Sequence, residues 1–284
     1  MAASASSQTA SNPFNRLINE VGYTLAMLGI IGFVGFPLFW ISISAFKLEK
    51  DVKKATIFFE PTIKNFQIIF SDLFDFDRLI VNSLIICIAV VVITVPLALM
   101  GAYALSRFQL PFKRVLLILI LATQFFPPVV LTLPYFNLFR QFSLLDTYTA
   151  MVIVNLTRTV PFSMWLLYGF VDTLPVEIEQ AGLVDGCREW DILRYITLPL
   201  AMPGIVTAAI FSFILAWNEF LYALLFTSEA TRTVIVGLVN VVGERDVPWE
   251  QMSAAGILVM VPMLIMSFAI RKYFVEGLTM GAVK

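Results

Sequence analysis

The sequence predicts an all-α, polytopic membrane protein with six transmembrane helices, and three observations carry that prediction. Of the 284 residues, 59% are hydrophobic and 14% charged, where a soluble domain carries about 25% charged residues. So little charge cannot coat a water-facing surface of this size, and much of the exterior must face lipid. Six apolar runs reach the roughly 20 residues that a helix needs to cross a ~30 Å hydrocarbon layer. Pro37, Pro96, Pro127, Pro128, Pro161 and Pro262 fall inside those runs. Soluble helices suffer from such prolines, whereas membrane helices tolerate them through neighbouring partners.

Residues 1–14 are small and polar with no apolar period, and read as a disordered tail that does not repay its ordering entropy. A single membrane domain then occupies 15–284. Its first run, 22–46, has neither a basic n-region nor a small-residue cleavage site, so it reads as a retained span and not as a signal peptide. Further runs lie at 79–105, 115–136, 148–171, 203–227 and 252–270, each bounded by charged or turn-forming residues. Kinks are expected at the prolines, with a partly broken third helix at Pro127 and Pro128. Six crossings put both termini on one side. Lys and Arg divide evenly between the two sides; only the dense cluster Arg107, Lys113 and Arg114 in the second connection leans towards cytoplasmic termini.

Composition also excludes several function classes. A formal net charge of -1, with no long basic run, leaves nothing to neutralise a phosphate backbone, so no nucleic-acid partner is expected. Histidine is absent, which removes Ser-His-Asp and HExxH chemistry. The two cysteines, Cys87 in an apolar run and Cys187 in a polar loop, suggest neither a disulfide framework nor a metal site. No catalytic and no metal-ligating residues are assigned.

The connection at 172–202 is about 30 residues long and carries helical patterns of its own. Pro175 suits a helix's first turn, and Glu177 and Glu179 sit where the positive end of the dipole favours them. Ile178, Ala181 and Gly182 then share a face, and Gly186 ends the segment. A second short helix follows with Trp190, Leu193 and Thr197 on one face, closed by Pro199 and Pro203. Periodicity alone is equally consistent with an interfacial amphipathic hairpin lying on the membrane.

The residue string says more. Gln180-Ala181-Gly182, three residues, Gly186, nine residues and then Ile196-Thr197-Leu198-Pro199 resembles the EAA loop of binding-protein-dependent ABC transporter permeases. Pro175, Glu177, Asp185 and Gly186 fit the flanking pattern, while Gln180 replaces the family's glutamate and Gly182 its second alanine. Trp217-Asn218-Glu219-Phe220 and the C-terminal stretch Val275 to Lys284, with Gly277, Leu278, Thr279 and Gly281, are similar to the carbohydrate uptake branch of maltose-importer type. They resemble its second permease subunit. The likeness runs from about Gly22 to Lys284.

The resemblance implies a type I ABC importer permease fold, in a bacterial inner membrane, with both termini cytoplasmic. In such transporters a short helix of this loop docks in a cleft of the ATPase, so that nucleotide-driven closure moves the membrane helices. It implies Glu179, Gln180, Ala181, Gly182, Asp185, Gly186, Ile196, Leu198 and Pro199 as the residues coupled to that ATPase, with Ile178, Ala181, Leu183 and Val184 as the apolar contacts, Gly186 as the bend, and a C-terminal tail (271–284) that also touches the ATPase. No GxxxxGK[ST] occurs in the chain, so no ATP or Mg is held here and hydrolysis belongs to a partner. The implied partners are a second permease, two ATPase subunits or domains, an extracytoplasmic solute-binding protein, lipid, and a sugar or polyol substrate.

Polar residues at membrane depth are the candidates for the substrate path. Glu219 falls near the middle of the fifth run, where an unpaired charge costs roughly 2.5–3.5 kcal/mol. It must face protein or water, either beside Trp217 and Asn218 on the path, where an indole stacks on sugar rings, or as a cross-helix strut. Asn155 and Arg158 share a face, and Arg158 either pairs with Glu219 or snorkels to headgroups. Gln124 with Phe125, just ahead of the double proline, is placed to line a cavity where a broken helix frees its carbonyls. Two rival classes remain at this point, a secondary transporter or channel and an intramembrane enzyme. The first would not need the amphipathic loop; the second would have one carboxylate and no histidine to work with.

Overall fold

A computed structural model describes residues 13–242 and 247–282, with side chains from 20 to 269 within those limits. In chain order the helices are α1 (Pro13–Ser44), α2 (Glu49–Lys53), α3 (Lys64–Ile69), α4 (Phe76–Arg107), α5 (Lys113–Ala122), α6 (Pro128–Gln141), α7 (Tyr148–Asp172) and α8 (Val176–Val184). They continue with α9 (Glu189–Ile192), α10 (Leu198–Leu200), α11 (Met202–Trp217), α12 (Leu221–Phe226), α13 (Val234–Asn240) and α14 (Trp249–Ala282). The described residues contain no strand. Pro13 and Phe14, which the sequence reading placed in the tail, belong to α1, and residues 1–12 lie outside the described residues.

Among the described residues four helices, α1 from Glu20, α4, α7 and α14 as far as Ala269, are each long and apolar enough to cross a membrane. Two bent pairs bring the number to six if each pair is one crossing. The third span bends by 88° between α5 with its 3₁₀ turn (Thr123–Phe125) and α6. Pro127 forces Phe126 into extended backbone (φ -69°, ψ 122°), and Pro128 restarts the helix at its first position. By contrast α1, α4, α7 and α14 run unbroken through Pro37, Pro96, Pro161 and Pro262.

The fifth span departs from the sequence reading. Instead of one helix over 203–227, α11 ends at Trp217, the chain unwinds over Asn218 to Phe220, and α12 begins at Leu221. No proline or glycine causes the break. Glu219 does: its Oε1 accepts the N–H of Tyr222 at 2.9 Å and so satisfies a free donor at the start of α12. Glu219 thus lies at the far end of α11, ~24 Å along the helix from Met202 at ~1.5 Å per residue, and not in the middle of a continuous span.

The centre of the bundle is the packing of α4, α7 and α11. Small and hydroxyl residues let these helices meet, as expected where lipid offers no hydrophobic drive for association. Gly101 lies against Met164 and Gly204 against Phe170. Thr94 and Thr159 share a buried hydrogen bond of 2.8 Å, and Ser163 and Ser212 one of 2.9 Å. On the outside, α1 packs on α14 but is otherwise exposed along its apolar length.

The end of the bundle away from the 172–202 connection is held by polar clamps. Asp146, in left-handed backbone (φ 55°), accepts hydrogen bonds from the N–H groups of Ser228, Ala230 and Thr231 and from the hydroxyls of Ser228 and Thr231. Burial alone would raise the pKa of this carboxyl, but those donors hold it well below the usual carboxylate range. Asn82 works in the same region, donating to the carbonyls of Ala230 and Arg232 and accepting from the Tyr148 hydroxyl.

Candidate functional site

Two assemblies stand out, one at each of the irregular parts of the backbone. The first is the connection between α7 and α11. Pro175 stands immediately ahead of α8 rather than inside its first turn. Helix α8 ends in a paired closure: Cys187 N–H donates to Gly182 O at 3.0 Å and Gly186 N–H to Leu183 O at 3.1 Å. This pattern requires left-handed backbone just past the helix, and Gly186 supplies it with φ +87°. The chain then turns into α9, a π turn over Leu193–Thr197 and α10. The α9–α10 segment meets α11 at 79°.

Glu179 is placed differently from the expectation that grouped it with the ATPase contacts. It is 6% exposed, and its carboxylate turns into the protein. Arg107 Nε donates to its Oε2 at 2.7 Å and Thr197 Oγ1 to its Oε1 at 2.9 Å. Arg107 also donates from Nη2 to the carbonyls of Val171 and Leu174, at 3.0 and 3.1 Å, and from Nη1 to Ser106 Oγ at 3.0 Å. One guanidinium therefore ties the end of α4 to the end of α7 and to α8. Sequence reasoning used Arg107 only as an orienting charge, since nothing local marks a partner 72 residues away.

Gly182 also faces inward with Glu179, rather than sharing the exposed side of Ile178 and Ala181. A Cβ at Gly182 would sit 2.7 Å from Ile196 Cδ1, so a larger residue would require the end of the Ile196 side chain to swing aside. The outer surface of α8 carries Ile178, Gln180, Ala181, Leu183 and Val184, the last 88% exposed, followed by exposed Asp185 and Gly186. Ile196 and Leu198 are half-buried and Pro199 is exposed. What results is a small rigid knob, braced from behind and apolar in front. The backbone of 270–282 continues α14, but the side chains of Gly277, Leu278, Thr279 and Gly281 lie outside the described residues.

The second assembly forms where the breaks in the third and fifth spans meet. Arg158 Nη1 lies 3.0 Å from Glu219 Oε2, so the two charges form a pair, with Glu219 5% and Arg158 42% exposed. Gln124 Nε2 donates to Arg158 O at 3.1 Å, tying the third span to α7, and the Tyr222 hydroxyl donates to Pro128 O at 3.3 Å, tying the two broken spans to each other. A cavity of about 260 Å³ opens among these residues.

Of the residues assigned to the substrate path, Gln124 lines this cavity and Glu219 supports it from behind. The others lie outside it. Trp217 is 2% exposed, stacks on Phe213 and donates from Nε1 to Val259 O, so no face of the indole is left for a sugar. Asn155 is buried, and its amide donates to Met151 O in its own helix. Asn218 is exposed but outside the cavity, donating to Ile214 O and Met263 Sδ. Phe125 points outward, and its neighbour Phe126 lines the cavity instead. Tyr135, Thr157 and Tyr222 line it too and were not foreseen, because a hydroxyl in an apolar run gives no signal of where it points.

Comparisons with known proteins agree with this architecture. The family model for the binding-protein-dependent transport system inner membrane component matches residues 94–279, which include both assemblies. The sulfoquinovosyl glycerol transport system permease protein SmoH of Agrobacterium fabrum is 35% identical over 253 residues, covering 88% of each chain. The trehalose/maltose transport system permease protein MalG of Thermococcus litoralis is 32% identical over 253 residues, covering 88% of this chain and 91% of its own. In fold, the chain is similar to the crystal structure of a bacterial ABC transporter involved in the import of the acidic polysaccharide alginate. That match has a TM-score of 0.76 at 20% identity, over 95% of this chain and all of the other. With an all-α bundle of apolar spans, a braced connection before α11 and these matches, the chain belongs to the binding-protein-dependent transport system inner membrane components, the multi-pass permeases of ABC transporters.

Proposed function

We propose that this chain is one of two permease subunits of an importer that moves a sugar or related polyol across the cytoplasmic membrane at the expense of ATP hydrolysed by a separate subunit. The observation that carries the proposal is the α8 knob, with an apolar outer face formed by Ile178, Leu183 and Val184 and an ionic brace formed by Arg107 and Glu179 behind it. A helix presenting an exposed apolar face suits a groove on a partner. The brace makes a push on α8 reach α4 and α7 at once instead of bending a loop. The sugar class is supported by the roles of its relatives, the sulfoquinovosyl glycerol and trehalose/maltose permeases.

In this scheme the 172–202 connection, both termini and the C-terminal segment with Gly277, Leu278, Thr279 and Gly281 lie on the cytoplasmic side, against two ATPase subunits that hold ATP and Mg. The second permease completes the pathway, and an extracytoplasmic solute-binding protein delivers substrate to the end clamped by Asp146. Gln124 and the Arg158–Glu219 pair face the path. The test is uptake of radiolabelled maltose and trehalose into proteoliposomes carrying the purified complex and its binding protein. Accumulation that needs ATP inside and binding protein outside is the expected result. Movement that follows a proton or sodium gradient and ignores ATP would overturn the proposal.

A further inference from the structure

The cavity between the two interrupted spans has a chemistry that the coupling scheme does not use. We propose that it is a subsite for a single neutral sugar ring of the transported carbohydrate, built by this subunit itself; the proposal rests on the sugar-importer function above. Five observations support it.

The cavity lies where two broken helices face each other, the arrangement in which membrane transporters build polar sites away from lipid. Its polar groups are only partly used. A guanidinium has five N–H donors, and the one side-chain hydrogen bond of Arg158 among the described residues goes to Glu219. The Gln124 amide spends one of its two N–H donors on Arg158 O, leaving the other and its oxygen, and the Thr157 hydroxyl donates to Val154 O and can still accept. The Tyr135 hydroxyl has no hydrogen bond among the described residues. Sugar hydroxyls, each able to donate and accept, complement such a mixed set.

Apolar surface accompanies these groups. Tyr135 and Tyr222 meet edge to face at 5.9 Å between ring centroids, and Phe126 adjoins them in the wall. Tyr222 is 1% exposed and stacks on Phe226, so the rings open to the C–H face of a pyranose are those of exposed Phe126 and half-buried Tyr135. The size selects one ring, since about 260 Å³ falls just below the roughly 300–1,000 Å³ of sites for drug-sized ligands.

Charge selects a neutral ligand. Arg158 is already balanced by Glu219, and the second oxygen of Glu219 is held by the Tyr222 N–H. An anionic sugar that took the guanidinium would strand a buried carboxylate, whose loss of a partner is costly. A hydroxyl takes the spare N–H groups and leaves the pair intact.

The experiment is photolabelling of the complete transporter in membranes that carry out ATP-driven uptake. The probes are neutral diazirine-bearing α-glucosides, galactosides and mannosides, with the matching glucuronide as the anionic arm. The expected result is a label mapped by mass spectrometry to 123–135, 157–158 or 222, formed by at least one neutral probe, absent with the glucuronide, and displaced by the corresponding methyl glycoside. The double variant Tyr135→Phe, Thr157→Val keeps the Arg158–Glu219 pair and is expected to cut labelling about tenfold, as the loss of one or two hydrogen bonds would, with the amount of assembled transporter in the membrane unchanged. Labelling that avoids these segments in transporting membranes, equal labelling by the glucuronide, or full labelling of the double variant would overturn the subsite and leave the importer function standing. Uptake indifferent to ATP in the same membranes would instead overturn the importer function.

Discussion

Replacing Arg107 with methionine is expected to abolish ATP-coupled uptake while leaving the chain in the membrane. The Arg107 and Glu179 side chains are 10% and 7% exposed and meet at 2.7 Å. Removing one member of such a pair leaves an uncompensated buried charge, which costs about 3–5 kcal/mol. The carbonyls of Val171 and Leu174 lose their donor in the same step. Insertion depends on the apolar spans, which the substitution does not touch, so the damage falls on the attachment of α8 to α4 and α7. Glu179→Gln is expected to be milder: an amide oxygen can still accept from Arg107 or Thr197, and Arg107 keeps its two carbonyl partners. The check is uptake and binding-protein-stimulated ATP hydrolysis for each variant, alongside the amount of chain recovered in the membrane fraction. Coupled uptake by Arg107→Met at the parent rate would show that the brace does not transmit force.

Gly186→Val is expected to have the second largest effect, through backbone conformation alone. A Cβ at this position meets nothing within 4 Å, so no clash is involved. The φ of +87° is the obstacle. Left-handed backbone costs an ordinary residue roughly 1–2 kcal/mol, and a β-branched residue is a genuine outlier there. Valine would open the paired closure at the end of α8, freeing the carbonyls of Gly182 and Leu183 and turning the knob away from its partner. Stimulated ATP hydrolysis should fall about tenfold or more, since ~1.4 kcal/mol is a factor of ten in an equilibrium. Gly186→Asn should retain most activity, because asparagine visits this conformation readily. Valine and asparagine variants of equal activity would remove the conformational explanation.

The spans and the helical hairpin at 172–202 were readable because their causes are local. A run of about 20 apolar residues needs no partner to be recognised, and Pro127-Pro128 breaks a helix wherever it sits. Gly186 is legible in the same way, as the glycine that ends a helix. The parts that escaped depend on contacts distant in sequence. Arg107 looks like a topological charge until α8 is folded back onto it. Trp217 carries the same ring whether it packs on Phe213 or lines a path, and only burial separates the two. The break at Asn218 to Phe220 has no proline or glycine to announce it, and arises because the Glu219 carboxylate finds Arg158 on one side and the Tyr222 N–H on the other. For the same reason Asp146, joined by five hydrogen bonds to the segment 228–231, reads as an ordinary loop aspartate in the sequence.

The central claim is that the outer face of α8 is where a separate motor takes hold. It is tested most directly by thiol crosslinking from Ala181→Cys, on the exposed side of α8, with Cys87 and Cys187 replaced by serine, in membranes containing the complete transporter. The predicted result is a covalent adduct between this chain and a nucleotide-hydrolysing subunit, with a yield that changes when ATP is added. An uptake-competent membrane in which the thiol is fully modifiable by small reagents, yet never captures that subunit, would contradict it.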